Sequence, residues 1–361
     1  MKLIVWGVGY IATEFTYRKS YHPNDEIIYY VDNNKNMWGK KFAGMDVISP
    51  TQLEQIDFDR LVICTIDYCD EIREQIKNTI KIGSEKIITY SEVEENIKHK
   101  FVEKYGNCDD TEIQQILEYY RLRSLNIYGT YDGESEDVLY PVDYDKDGMP
   151  YISFEGKKMF FPKEYNFEII GKKVFIKNIL YEQGKHSPHL YLKSDYMIKD
   201  GVVIVDAGVC EGNFALRYID KAKKVYLIES DPKWVDALKR TFAPYQDKVV
   251  ICNQYLSGED TKNTVTLDTL VKENIDILKM DIEGYETDAL RGAKRVLQES
   301  NAYCAICSYH KHNDEKNIKK ILKQYGYDIS TSEGYMYFWF DADVELRRGI
   351  VYGQKMTHDG S

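Results

Sequence analysis

Between residues 200 and 310 five short apolar runs recur, and four of them stop on a residue able to bind a ligand or move a proton. Val202–Val205 stops at Asp206, Lys224–Ile228 at Glu229, Ile275–Met280 at Asp281 and Ala302–Tyr309 at His310, with Lys248–Ile251 as the remaining run. The stretches between them carry helical periodicity, as in Thr287–Gln298, where Leu290, Ala293, Val296 and Leu297 share one face. Strands alternating with helices predict a parallel sheet covered on both faces. Ligands of such open sheets bind beyond the carboxyl ends of the strands, so the polar residues that end the runs are the first candidates for a site.

The series closes unusually. After the helical pattern 315–326 come two strand candidates, Tyr327–Ser330 and Met336–Phe340, around the turn Thr331–Gly334. A parallel series that finishes in an antiparallel hairpin is a methyltransferase-like ending more than a dehydrogenase-like one. The first strand end agrees. Asp206-Ala-Gly208-Val-Cys-Glu211-Gly212 places an acid at a strand end and two glycines in a turn, and a helix starts at Asn213. Glu229, 17 residues after Gly212 and followed by Ser230, is placed to take a pair of ribose hydroxyls. Asp206 and Glu211 would repel a pyrophosphate where a dinucleotide fold needs a bare helix N-terminus. They suit a ribose-bearing ligand with a sulfonium and an amino group, S-adenosylmethionine. A Gly-x-x-x-Gly turn alone also closes other doubly wound folds; the strand-end acid, the lack of a basic residue in the loop and the closing hairpin favour this one.

A second glycine loop lies at the start. Gly7-Val8-Gly9 follows the run Lys2–Trp6, a helix pattern continues through Tyr17, and Asp32 ends the next run, 20 residues after Ala12. This is the pattern of a nucleotide or nucleotide-sugar site at Gly7, Gly9 and Asp32; the alternative is a relic fold used for docking or dimerisation. Further strand candidates are Leu61–Thr65 and Lys86–Thr89. The 361 residues suit two domains. The expected partition is 1–90, a small Rossmann-like domain; 91–126, a charged helical bridge; 127–195, a turn-rich, hairpin-forming insert; and 196–361, the second α/β unit.

Composition narrows the partners. With 59 acidic against 48 basic residues the chain carries −11, which disfavours nucleic acid bound through its phosphates. Thirty-one tyrosines suit either a glycan-stacking surface or a compositional drift of the whole chain. The seven cysteines are scattered in apolar stretches, as reduced cytoplasmic thiols would be. Cys304 and Cys307 lie three apart in a strand, point to opposite faces and cannot share a metal. The apolar start, Met1–Tyr10, is too short for a signal peptide, and no stretch reaches the length of a membrane span. A cytoplasmic protein is expected, and a homodimer is compatible with it.

These residues also carry a family resemblance. Residues 180–355 resemble the FkbM family of S-adenosylmethionine-dependent O-methyltransferases through Val203–Leu216, Tyr226–Pro232, Val265–Leu270, the Lys-x-Asp-x-Glu-Gly-x-Glu run within Ile277–Ala293, and the strand ending at His310. The resemblance implies a class I methyltransferase fold, Rossmann-like with a parallel sheet closed by an antiparallel hairpin, beside a smaller N-terminal Rossmann-like α/β domain. It implies cofactor contacts from Asp206, Gly208, Gly212, Glu229 and Asp281, and methylation of a hydroxyl, often on a sugar or natural product. With the loop reading, the cofactor set is Asp206, Gly208, Glu211, Gly212, Asn213, Glu229, Ser230 and Asp281. The first domain resembles the small Rossmann-like domains attached to glycan-biosynthesis enzymes, through Asp32-Asn33-Asn34, Trp38-Gly39 and Gly44–Pro50.

An alcohol is a poor nucleophile until its proton leaves, so a base or a metal must stand at the transferred methyl. His310 is the first candidate, because an ordinary imidazole titrates near ~6.5; its alternative is a bond to a neighbouring loop. Asp281 is the second, orienting His310 or holding the acceptor. Glu283 and Glu286 flank Gly284 at a helix start, and Glu286 reads as a capping acid. Asp281, Glu283 and His310 are the set a divalent ion would take, but no tight ligand spacing supports one, and no metal is expected. His312 reads as solvated loop. His186 and His189, in the polar stretch Gly184–His189, either cap the site or belong to a surface loop. The acceptor expected is a sugar, nucleotide-linked sugar or glycan precursor. Two rivals stand beside it: an NAD-dependent sugar oxidoreductase or epimerase using the first domain, against which residues 1–90 hold no Tyr-x-x-x-Lys pair, and a non-catalytic glycan-binding scaffold.

Overall fold

A computed structural model describes residues 1–17, 24–80, 82–131, 140–165, 167, 176, 179–194, 198–340 and 343–355. The chain forms two compact units. One comprises Met1–Thr130, Phe167–Phe175 and Tyr337–Leu346; the other comprises Tyr131–Asn166, Ile176–Met336 and Arg347–Ser361.

The first unit is built on a six-stranded sheet. Its strands are β1 (Lys2–Trp6), β2 (Glu26–Val31), β3 (Lys41–Phe42), β4 (Met45–Ile48), β5 (Arg60–Ile63) and β6 (Ile87–Thr89), in the order β3-β4-β2-β1-β5-β6. All neighbours are parallel except β3 and β4. β1 is apolar at successive positions because both faces are covered: Leu3 and Val5 pack with Phe15 and Tyr30, and Ile4 and Trp6 with Leu61 and Ile63. The helix α1 (Tyr10–Tyr17) follows the glycine loop, and α2 (Cys69–Gln75) follows β5. The expected bridge contributes α3 (Tyr90–Tyr105) and α4 (Thr111–Leu122), which fold into this unit. Thr89 and Glu92 close a capping box at the start of α3.

The second unit takes the described part of the expected insert as an antiparallel sheet, β7 (Val142–Tyr144), β8 (Pro150–Phe154) and β9 (Lys157–Phe160); the rest of the turn-rich stretch at 132–139 lies outside the described residues. Its main elements are β10 (Val202–Ala207), α5 (Asn213–Tyr218), β11 (Ala222–Ile228), α6 (Pro232–Thr241), β12 (Val249–Cys252), β13 (Tyr255–Leu256), β14 (Thr264–Val265), α7 (Leu267–Leu270), β15 (Ile277–Met280), α8 (Glu286–Arg291), α9 (Lys294–Glu299), β16 (Tyr303–Cys307), α10 (Asp314–Gln324) and β17 (Tyr327–Thr331). Of the last strands, β18 (Met336–Phe340) and β19 (Asp343–Arg347) fall, but for their outermost residues, in the first unit, and β20 (Ile350–Lys355) falls in the second. The main sheet runs β12-β11-β10-β15-β16-β20-β17. β12 to β16 are parallel, and β20 is antiparallel to both neighbours. This is the strand order of the class I methyltransferase fold.

The closing strand is not the expected one. Met336–Phe340 pairs with Asp343–Arg347 in a separate ribbon, and Ile350–Lys355 inserts between β16 and β17. Ile350, Val351 and Tyr352 are buried in succession, as a strand flanked on both edges and covered on both faces requires.

Candidate active site

The glycine loop after β10 is shaped by what it must avoid. Gly208 has φ +73°, and a Cβ there would lie 1.6 Å from the Asp281 carbonyl oxygen, so only glycine fits. The close approach is fixed by the Asp281 N–H, which donates to the Ala207 carbonyl at 2.9 Å. Gly212, at φ +82°, precedes α5, and a Cβ would meet Leu238 and Phe242 at 2.9 Å. Glu229, at the end of β11, accepts from the Cys210 N–H at 3.0 Å and the Asp231 N–H at 2.8 Å. It therefore ties the glycine loop to its own turn. Asn253 donates to the carbonyls of Glu229 and Ser230 and fixes that turn from β12. Glu211 and Asn213 are buried at the loop, and burial pushes the Glu211 carboxyl up to about 7.

Asp206 sits differently from what its position in the sequence suggests. It has no exposed surface, and its Oδ1 lies 3.0 Å from Lys279 Nζ. The pairing follows from register, since Asp206 and Lys279 are cross-strand partners in β10 and β15. Lys279 also reaches the carbonyls of Ala207 and Gly208 and lies over the Tyr191 ring. Burial would lower its pKa, but Asp206 and Asp281 overcome this and hold it charged. A base does stand behind the loop, supplied by a neighbouring strand, and the acids left to face a cation are Glu229 and Glu211, the latter about half protonated near neutrality.

At the ends of β15 and β16 the acids and histidines converge. Asp281 accepts from Tyr191 Oη at 2.8 Å and Tyr309 Oη at 3.3 Å, and lies 3.5 Å from His310 Nε2 and 3.6 Å from His189 Nε2. Burial would raise its carboxyl; His310, His189 and Lys279 instead hold it below the ordinary carboxylate range. His310 Nδ1 lies 2.9 Å from Glu286 Oε1, and Nε2 lies 3.7 Å from Glu283 Oε2. Burial alone would lower the His310 pKa; Glu286, Asp281 and Glu283 raise it to about 9. The expectation of an imidazole half deprotonated near neutrality is thus corrected: the resting ring is an imidazolium.

Glu286 accepts from the Ile282 N–H at 2.9 Å in the turn before α8, and it is fully buried and turned onto His310. Its sequence signal, an acid in a first helical turn, is shared by Asp288, which binds Ser257 and Gly258. His189 is buried against Tyr309 Oη at 3.0 Å, and burial pushes its pKa down to about 4, so it is neutral. His186 is exposed, at φ +70°. His312 is exposed in a turn, with its Nδ1 3.2 Å from Arg347 Nη2. Among the described residues, Asp281, Glu286 and His310 bring ligand atoms within 4.8 Å, as do His189, Asp281 and Cys307. Glu286 thus replaces Glu283 in the oxygen and imidazole set. The His310 ring lies between Glu286 on its Nδ1 side and Asp281 and Glu283 on its Nε2 side.

The first glycine loop repeats the wiring of the second. Asp32 accepts from the Val8 N–H at 3.2 Å and the Asn34 N–H at 2.7 Å, as Glu229 does from Cys210 and Asp231. Gly7, at φ +114°, lies against the Cys64 carbonyl, whereas Gly9 faces open space.

Comparison with known proteins places two segments. Residues 1–88 match the family model described as C2185-like, N-terminal, and residues 247–329 match that of the Methyltransferase FkbM domain. No curated protein matches the chain. Among solved structures, the chain is similar to methyltransferase FkbM from Methylobacillus flagellatus KT, at 18% identity over 98% of this chain and 89% of that one, with a TM-score of 0.42. A putative methyltransferase from Streptococcus mutans in complex with SAH matches at 14% identity over 44% of this chain and 91% of its own, TM-score 0.32. An S-adenosylmethionine-dependent O-methyltransferase from Thermotoga maritima matches at 14% identity, 45% and 63% coverage, TM-score 0.29.

Proposed function

We propose that the second unit transfers a methyl group from S-adenosylmethionine to a hydroxyl of a sugar or glycan precursor. The observation that carries this reading is the convergence on one sheet edge of the Gly208–Gly212 loop, Glu229, Asp281 and His310, at the carboxyl ends of β10, β11, β15 and β16. The donor set suits this cofactor: Glu211 and Glu229 are acidic, and the nearby cation Lys279 is spent on Asp206. Bound there, S-adenosylmethionine would supply an electrophilic methyl on a sulfonium. The chain supplies alignment, worth up to roughly 7–11 kcal/mol, and proton removal. In its neutral form His310 takes the acceptor hydroxyl proton at Nε2, while Asp281 holds the ring from the strand end. We place the reaction in the cytoplasm, in keeping with seven free cysteines. No described helix is long and apolar enough to cross a membrane.

We also propose a nucleotide moiety at Gly7, Gly9 and Asp32. The open space at Gly9 and the exposed Tyr10 and Tyr68 near the ends of β1 and β5 favour it. Titration calorimetry tests both readings. Heat with S-adenosylmethionine that survives His310→Ala is expected, and its absence at millimolar cofactor would end the methyl-transfer reading. Heat with a uridine or adenosine diphosphate sugar, lost in Asp32→Ala, is expected of the first unit.

A further inference from the structure

We propose that Glu286 is a positioning residue for His310, fixing the orientation of the ring and holding a proton on Nδ1 so that Nε2 is the atom that exchanges one. Helix capping does not account for its burial. The other acid of that first turn, Asp288, stays half-buried and accepts from Ser257 and the Gly258 N–H, whereas Glu286 is fully buried and leaves Oε2 without a partner. Burying a carboxylate is costly unless it is paired, and the cation within reach is the His310 ring. The contact is an ion pair and does not meet hydrogen-bond geometry. At 2.9 Å, however, a lone-pair nitrogen and a carboxylate oxygen would repel, so the proton lies on Nδ1. Nε2 is then left facing Asp281 and Glu283 at the strand ends. The charged and titratable groups around the ring are Asp281 and Glu283 from the turn after β15, Glu286 from α8, Asp314 from α10, and His189.

The catalytic meaning of this pair rests on the methyl-transfer reading; the pairing does not, so the test begins without substrate. The His310 ring resonances of the whole chain, assigned by their loss in His310→Ala, are titrated in wild type and in Glu286→Gln. Glu286→Gln keeps an acceptor for the Ile282 N–H. The wild-type midpoint is expected near 9 and that of the variant about one unit or more lower, a tenfold change in proton affinity. The acid limb of kcat/KM should move down with it. An unchanged midpoint in the folded variant overturns the proposal. Should the variant fail to fold, nitrogen shifts of the wild-type ring above its midpoint decide: an Nδ1–H tautomer supports the proposal and an Nε2–H tautomer overturns it. Stoichiometric Mn²⁺ binding that is lost in Glu286→Gln would also overturn it. A shifted midpoint in a protein that methylates nothing leaves the pair standing and removes only the methyl-transfer reading.

Discussion

His310 and Lys279 show what a residue's neighbours add to its identity. His310 is legible from sequence because it ends an apolar run. Its charge state is not, because the acids that set it arrive from α8 and from the turn after β15. With the folded pKa near 9, kcat/KM should climb with pH up to about 9 instead of levelling near 7, since only the neutral ring accepts a proton. His310→Ala should lower turnover by about 10²- to 10⁴-fold and remove that limb while S-adenosylmethionine still binds. The same elevation contributes to stability. An ordinary histidine titrates near ~6.5 when unfolded, so the contribution is complete below that pH and is lost as the pH rises through 9; a urea titration series across this window should show the decline, and His310→Ala should flatten it. Lys279 left one trace in the sequence, a lysine inside the run Ile277–Met280, and only register reveals that it answers Asp206. Lys279→Met should strand that buried acid and cost about 3–5 kcal/mol of unfolding free energy, with Asp206→Asn in the same chain recovering part of the loss. A Lys279→Met protein as stable as wild type would show that the pair is dispensable.

At the scale of elements, the strand series is readable because strands buried on both faces are apolar at nearly every position, and eight of ten residues in β10 and β15 are, Asp206 and Lys279 being the two exceptions. The closing strand was misplaced because Met336–Phe340 is as apolar as Ile350–Tyr352. Apolarity alone does not say which strand finds a partner on both edges. The glycine loops illustrate the complementary case, in which one acid does two jobs. Glu229 and Asp32 read as ligand-binding acids, and each also holds the N–H of its glycine loop and of its own turn. Hydrogen bonds to a charged acceptor contribute about 1.5–3 kcal/mol. Glu229→Gln, which keeps shape but not charge, should therefore weaken S-adenosylmethionine binding at least tenfold and lower the melting temperature of the second unit together. Asp32→Asn should destabilise the first unit without touching that affinity. Calorimetry and thermal melts on the two variants separate these effects, and a Glu229→Gln protein that loses affinity with unchanged stability would confine the acid to ligand contact.

At the scale of the whole molecule, the partition at 90, 126 and 195 has no counterpart for the chain's two returns to the first unit, at Phe167–Phe175 and at Tyr337–Leu346. Tyr337–Leu346 belongs with residues 1–130, although more than 200 residues separate them. No local pattern announces this, because what recruits the segment is the surface of α3 and α4. Tyr337 is buried with its ring edge-on to Phe101 and Tyr120, at 5.7 and 6.2 Å between centroids, and its N–H donates to the Ile127 carbonyl. Lys104 binds Asp343 and the Val344 carbonyl, and Tyr105 Oη accepts from the Leu346 N–H. A chain cut after residue 130 therefore leaves Phe101 and Tyr120 uncovered, and it should melt below the first unit of the intact protein and bind a hydrophobic dye. In the intact protein, Tyr337→Ala should cost about 3–5 kcal/mol, the range for emptying a buried aromatic site. Tyr337→Phe, which keeps both ring contacts, should cost far less. If the 1–130 fragment instead melts cooperatively at the temperature of the intact first unit, the returning segment is a passive excursion. If it does not, loss of Tyr337 should also impair a nucleotide site in the first unit while sparing S-adenosylmethionine binding in the second, because the segment completes the core of the first unit alone.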